Sequence, residues 1–143
     1  MDVKIDIKLN VDKIKKELEK KIEVAMVDVG LEAEGDVKME LNALVYDTPP
    51  SPSGYVRTGR LRGSITFRTN KMASEVQEPA GSEDGVQTTP KNGKSVNVGT
   101  NVEYAVYVHE GTLRMPPRRF IKDALEKNAK KYQDIMQEDL AKE

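Results

Sequence analysis

The residues able to do chemistry are few and lie close together. A single histidine, His109, stands beside Glu110, with Tyr104 and Arg114 each five positions away. Acid-base catalysis would need a carboxylate that orients the imidazole, but consecutive residues of a helix point about 100° apart. His109 and Glu110 are therefore not expected to form such a pair by themselves. The chain has no cysteine, so it can make no disulfide and offers no thiolate as nucleophile or soft ligand. One histidine leaves only carboxylates for a metal, which suits hard ions and not zinc. The stretch Arg57 to Arg62 has Gly59 alone and lacks the lysine-bearing turn that cradles a phosphate. The expectation is a protein with no catalytic residue, no cofactor and no metal. His109 reads as a surface or interface group whose protonation below about pH 6.5 would tune assembly.

A second cluster is cationic. Arg57, Arg60, Arg62, Arg68 and Lys71 fall within residues 57–71, with no acid among them. Such a strand could touch phosphate as a nucleic-acid-binding module, or it could be a solvated face or pair with an acidic neighbour. The net charge of −1 over 143 residues argues against a general attraction to nucleic acid or anionic membrane. Met1 to Asn10 alternates charged and aliphatic residues, so no signal peptide is expected. No run approaches the roughly 18 apolar residues that span a bilayer.

These groups must be positioned by elements whose patterns are legible. Val3, Ile5, Ile7 and Leu9 alternate with charged residues, the period of a half-buried strand at a sheet edge. From Asp12, a plausible N-cap, apolar residues recur at Ile14, Leu18, Ile22, Ala25, Val29, Ala33, Val37, Leu41 and Leu44, which predicts one long amphipathic helix. Gly30 and Gly35 predict a bend or close contact near its middle. Packing on the chain's own sheet is favoured over a coiled coil. The prolines of Asp47 to Ser53 stop the helix. A turn at Thr58-Gly59 then leads into a strand carrying Leu61, Ile65 and Phe67, with Gly63 as a close approach or bulge.

Residues 73–95 are rich in Gly, Pro, Ser, Thr and charge, which predicts a flexible hairpin loop that orders on assembly. It would join strands at 63–69 and 95–100. Glu103 to Glu110 reads as a short helix with Tyr104, Tyr107 and Val108 on one face, capped by Gly111. Pro116-Pro117 leads into a final helix whose stripe is Phe120, Ile121, Ala124, Leu125, Tyr132, Ile135, Met136 and Leu140. The fold class is α+β: a small antiparallel sheet with a long β-hairpin, packed against a long N-terminal helix, a short helix and a C-terminal helix. Residues 1–143 read as one domain. With 37% apolar and 33% charged residues and no tryptophan, the core is thin, which suits a subunit that completes its packing against neighbours.

Three segments in this order carry a resemblance: Thr58 to Ile65 (TGRLRGSI), Val98 to Thr112 (VGTNVEYAVYVHEGT) and Met115 to Ile121 (MPPRRFI). Together, after a long amphipathic helix, they resemble the minor structural proteins of long-tailed bacteriophages described as tail-component, tail-completion or head-tail joining proteins. The resemblance implies a ring-forming subunit, commonly six-fold, at the neck between the connector and the tail tube, and no catalysis. It implies partners among head-closure, tail-tube or tail-terminator proteins, passing contact with DNA in the lumen, and no membrane. It places the protein in the virion, and in the host cytoplasm before assembly. Loop 73–95 would face the lumen or an adjacent ring. Arg60, Arg62, Arg118 and Arg119 are the candidate intersubunit contacts, since a guanidinium pairs well with a neighbour's acids. Tyr104, Tyr107, His109 and Phe120 complete the expected interface.

Overall fold

The computed structural model describes residues 1–6, 16–46, 59–70, 84–114 and 116–142. The alternating N-terminus forms strand β1, Asp2–Asp6, and the long apolar period forms helix α1, Lys16–Leu41, extended by a π-helical turn over Asn42–Tyr46. The stripe read from the sequence is the buried face of α1: Ile22, Ala25, Val29, Ala33, Val37 and Leu41 are all in the core. Its proposed N-cap, Asp12, and the proline-rich stop lie outside the described residues.

The segment after Gly59 departs from expectation. Arg60–Gly63 is a helical turn, α2, and the strand β2 covers only Thr66–Thr69. Gly59 takes φ 83°, and its carbonyl accepts the Gly63 N–H at 2.9 Å, so the chain coils before it extends. Leu61 therefore reaches the core from a helical turn and not from a strand, and the space around Gly63 is open.

Strand β3, Ser95–Gly99, pairs antiparallel with both β1 and β2, giving the order β1-β3-β2. Val3, Val98 and Phe67 align across the sheet on the face that packs against α1; Lys4, Asn97 and Arg68 align on the other. That second face is covered by the chain itself. Val86 N–H donates to Thr66 Oγ1 at 2.7 Å, Asn97 Nδ2 donates to Thr88 O at 3.1 Å and Asn70 Nδ2 to Pro90 O at 3.1 Å. The second half of the loop expected over 73–95 is irregular chain whose backbone groups bond polar side chains of the sheet and its end. The first half lies outside the described residues.

Helix α3, Ala105–Glu110, ends at Gly111, whose φ of 80° brings its N–H to Tyr107 O at 2.9 Å. Its buried residues are Ala105 and His109; of the predicted face, Tyr104 and Val108 pack half-buried against the core, while Tyr107 is 60% exposed. The C-terminal stripe is split into α4, Phe120–Lys127, and α5, Ala129–Ala141. At the break, Asn128 Nδ2 donates to Ala124 O at 2.8 Å, a local bond that competes with the helix ladder. Phe120, Ile121, Ala124, Leu125, Tyr132 and Met136 nevertheless bury as expected.

Helices α1 and α5 are joined by polar links as well as by packing. Tyr132 Oη donates to Asp36 Oδ2 at 2.8 Å, and Lys131 Nζ reaches Asp36 at 2.7 Å and Glu32 at 3.1 Å. Further along, the hydrogen bond to Asp139, helped by partial burial and the Asp139 charge, pushes the Asp28 carboxyl up to about 6 against the pull of Lys142. A proton on Asp28 supplies a donor to Asp139, whose Oδ2 is buried and has none among the described residues. Because the folded value lies above the unfolded one, this contribution is complete below about pH 4 and is lost as pH rises through about 6. Between pH 7.5 and pH 5 the melting temperature of the native chain should therefore rise relative to that of Asp28→Asn, whose amide donates at every pH. Solvent screening limits the difference to about 1 kcal/mol, read by paired thermal melts across the range.

Candidate functional site

The motif between Val98 and Phe120 folds into a corner where α3, the Pro116-Pro117 segment and α4 meet. His109 lies at its centre and is 3% exposed. Its ring meets Phe120 edge-on, with centroids 5.3 Å apart and planes at 79°. Nε2 accepts the Lys122 backbone N–H at 3.3 Å, so in the neutral ring the proton sits on Nδ1, which donates to Glu110 Oε1 at 2.7 Å.

The sequence argument that adjacent helical residues cannot pair is overturned here. Glu110 is the last residue of α3, and its long side chain folds back to the ring. That hydrogen bond, with the positive charges of Arg119 and Lys122, holds the Glu110 carboxyl below its usual range. A carboxylate thus orients the imidazole after all, but the nitrogen that would act as a base is spent on the backbone of α4. His109 locks α3 to α4 instead of presenting a lone pair to a substrate.

The predicted interface residues separate into two groups. His109 and Phe120 are inside the subunit, and Tyr104 is half-buried. Arg60 forks onto Asp84, with Nε to Oδ2 at 2.9 Å and Nη2 to Oδ1 at 2.8 Å; it also reaches Glu103 at 3.4 Å and lies 5.9 Å over the Tyr104 ring. This bidentate contact holds the Asp84 carboxyl below its ordinary range. Glu103 is lowered too, first by its own backbone hydrogen bond and then by Arg60. Arg62 donates to Asn42 Oδ1 at 2.9 Å. Arg119 is half exposed, 3.8 Å from Glu110, while the Arg118 N–H binds Val108 O at 3.0 Å. Arg60, Arg62, Tyr107 and Arg119 are thus the predicted contacts that the fold leaves on the surface, with Arg118 half-buried.

Two surfaces escaped the sequence reading. One is an open groove of about 710 Å³ between β1 and the helices α3 to α5, lined largely by apolar atoms from Val3, Ile5, Leu125, Ala129 and Tyr132. No local pattern announces it, because its walls come from opposite ends of the chain. The other is an outward row along α1 and the turn that extends it: Leu31, Gly35, Met39 and Ala43. Met39 is 70% exposed and Leu31 45%. This row was legible as a strict i, i+4 series beside the core stripe.

Among the described residues, no group of His, Asp and Glu could hold a metal ion, and no helix is long and apolar enough to cross a membrane. His109 and Arg60 are bonded within the subunit, and the large uncovered features described above are apolar surfaces. The model of the Bacteriophage HK97-gp10-like tail-component family matches residues 5–111, and the chain belongs to that family. It is a structural tail component of a bacteriophage, made to contact other phage structural proteins. No curated protein and no solved structure was found to match it.

Proposed function

We propose that the protein is a neck subunit, copies of which close into a six-fold ring that joins the connector to the tail tube. The observation that carries this reading is the family membership over residues 5–111, on a chain whose His109 and Arg60 are bonded within the subunit. In this role it has no catalytic step and no cofactor. Arg60, Arg62, Tyr107, Arg118 and Arg119 serve as contacts to neighbouring proteins, and the ring lies in the virion with DNA passing its lumen.

The basic strand is a weaker candidate for nucleic acid than its sequence suggests. Arg60, Arg62 and Arg68 each donate to acceptors of the same chain: Asp84, Asn42 and Gln87 O. A guanidinium already paired gives less counterion release on meeting a phosphate. The deciding experiment is light scattering and negative-stain microscopy of the purified protein, alone and with its connector and tail-tube partners. Rings located at the top of the tail are expected. A chain that stays monomeric with those partners present, or salt-dependent duplex binding by the monomer, would overturn the proposal.

A further inference from the structure

Building on the ring reading, we infer that the outward row of α1 in one copy seats in the groove between β1 and α4–α5 of the next, so that each subunit contributes a ridge and a socket. The two surfaces face different ways. Val29, Ala33 and Val37 turn the inner face of α1 to the core, which leaves Leu31, Gly35 and Met39 on its exposed side. The groove opens instead along β1, at the edge of that sheet. One copy cannot fold its ridge into its own socket, and a second copy can.

Their dimensions agree. Residues 1–5 give the groove a wall of about 16 Å, and Leu31, Gly35 and Met39 span about 12 Å along α1. Three successive i, i+4 positions therefore fit its length, as anchors of a helix lying in an apolar groove do. Gly35 lies between the two large side chains, and a Cβ there would meet nothing within 4 Å in the subunit, so the backbone is open to close approach from outside. The rims suit a protein helix better than a polyanion. Asp2 and Lys4 lie on the strand side and Lys122 and Glu126 on the helix side, both signs on each, while Glu32 and Lys38 flank the row. A contact between two different patches is heterologous, and its repetition closes a ring when the rotation per step allows it.

The test uses two full-length variants altered at exposed positions. Leu31→Asp/Met39→Asp loses the ridge and keeps the socket; Ala129→Arg fills the socket and keeps the ridge. Native mass spectrometry should find rings for the native chain, monomers for each variant, and a one-to-one dimer that grows no further when the variants are mixed. Because the chain has no cysteine, a Leu31→Cys chain mixed with an Ala129→Cys chain should also give a mixed disulfide on oxidation, a readout that does not depend on the charged variants folding well. Rings that persist in either variant, a mixture that stays monomeric, or disulfide dimers of Leu31→Cys alone would overturn the contact while leaving the ring reading standing. A native chain that forms no ring either alone or with its connector and tail-tube partners overturns both.

Discussion

Phe120→Ala should be the most damaging single truncation in the motif, lowering stability by about 3–5 kcal/mol in urea or thermal unfolding. Phe120 is fully buried at the first position of α4 and belongs to the same core cluster as α1 and the sheet. Removing the ring opens a cavity that these elements cannot close, since α4 is held at its start by Phe120 N–H to Arg118 O at 2.8 Å and Asp123 N–H to Arg119 O at 2.9 Å. It also strips His109 of its edge-on partner, loosening the imidazole that joins α3 to Lys122. For a domain whose total stability is about 5–15 kcal/mol, a loss of this size leaves little margin. Arg119→Ala, one residue earlier and half exposed, should stay within about 0.5 kcal/mol of the native chain. A large effect at 120 beside a small one at 119 would show that the first residue is core and the second surface, a division that grouping both among the interface contacts did not make.

The reason for that failure is instructive. Helical and strand periods specify which residues face inward along one element, and here they located the buried stripe of α1 and most of that of α4 and α5. A six-residue helix such as α3 has too few turns for its period to choose a face. His109 and Tyr107 were therefore assigned by residue type, and the polar imidazole turned out to be buried while the aromatic phenol was exposed. Likewise, the Arg60 fork to Asp84 spans 24 positions and the groove joins residues 1–5 to residues 106–133; neither leaves a local trace. The cover over the sheet was missed for a different reason. Low hydrophobicity predicted a loose segment, but Thr88, Pro90 and Gln87 supply backbone carbonyls to sheet side chains, an ordering that apolar counts do not register. The family motifs, by contrast, were legible because they combine glycine, proline and arginine in a fixed order, and the residues matched by the family include the first of them and all of the second but Thr112.

The two glycines of α1 should answer opposite ways to the same substitution. Helix propensity alone favours alanine over glycine by about 1 kcal/mol at either place. At Gly35 nothing opposes it, since an added Cβ meets nothing within 4 Å. Gly35→Ala should therefore stabilise the subunit by up to about 1 kcal/mol. At Gly30 the added carbon would lie 2.4 Å from Phe67 Cδ2, 2.7 Å from Cγ and 2.8 Å from Cε2, inside the ring's van der Waals envelope. Phe67 cannot swing clear, because it is 2% exposed and fixed on β2 opposite Val98. Either the ring leaves its rotamer or α1 lifts from the sheet, and overpacking of this kind costs about 1–3 kcal/mol, which outweighs the propensity gain. Gly30→Ala is expected to lower the melting temperature and Gly35→Ala to raise it, in melts recorded side by side on the monomeric Ala129→Arg background so that assembly does not mask the difference. If Gly30→Ala proves as stabilising as its neighbour, the close seat of α1 on Phe67 is wrong, and with it the depth at which the long helix presents its outer row to the next subunit.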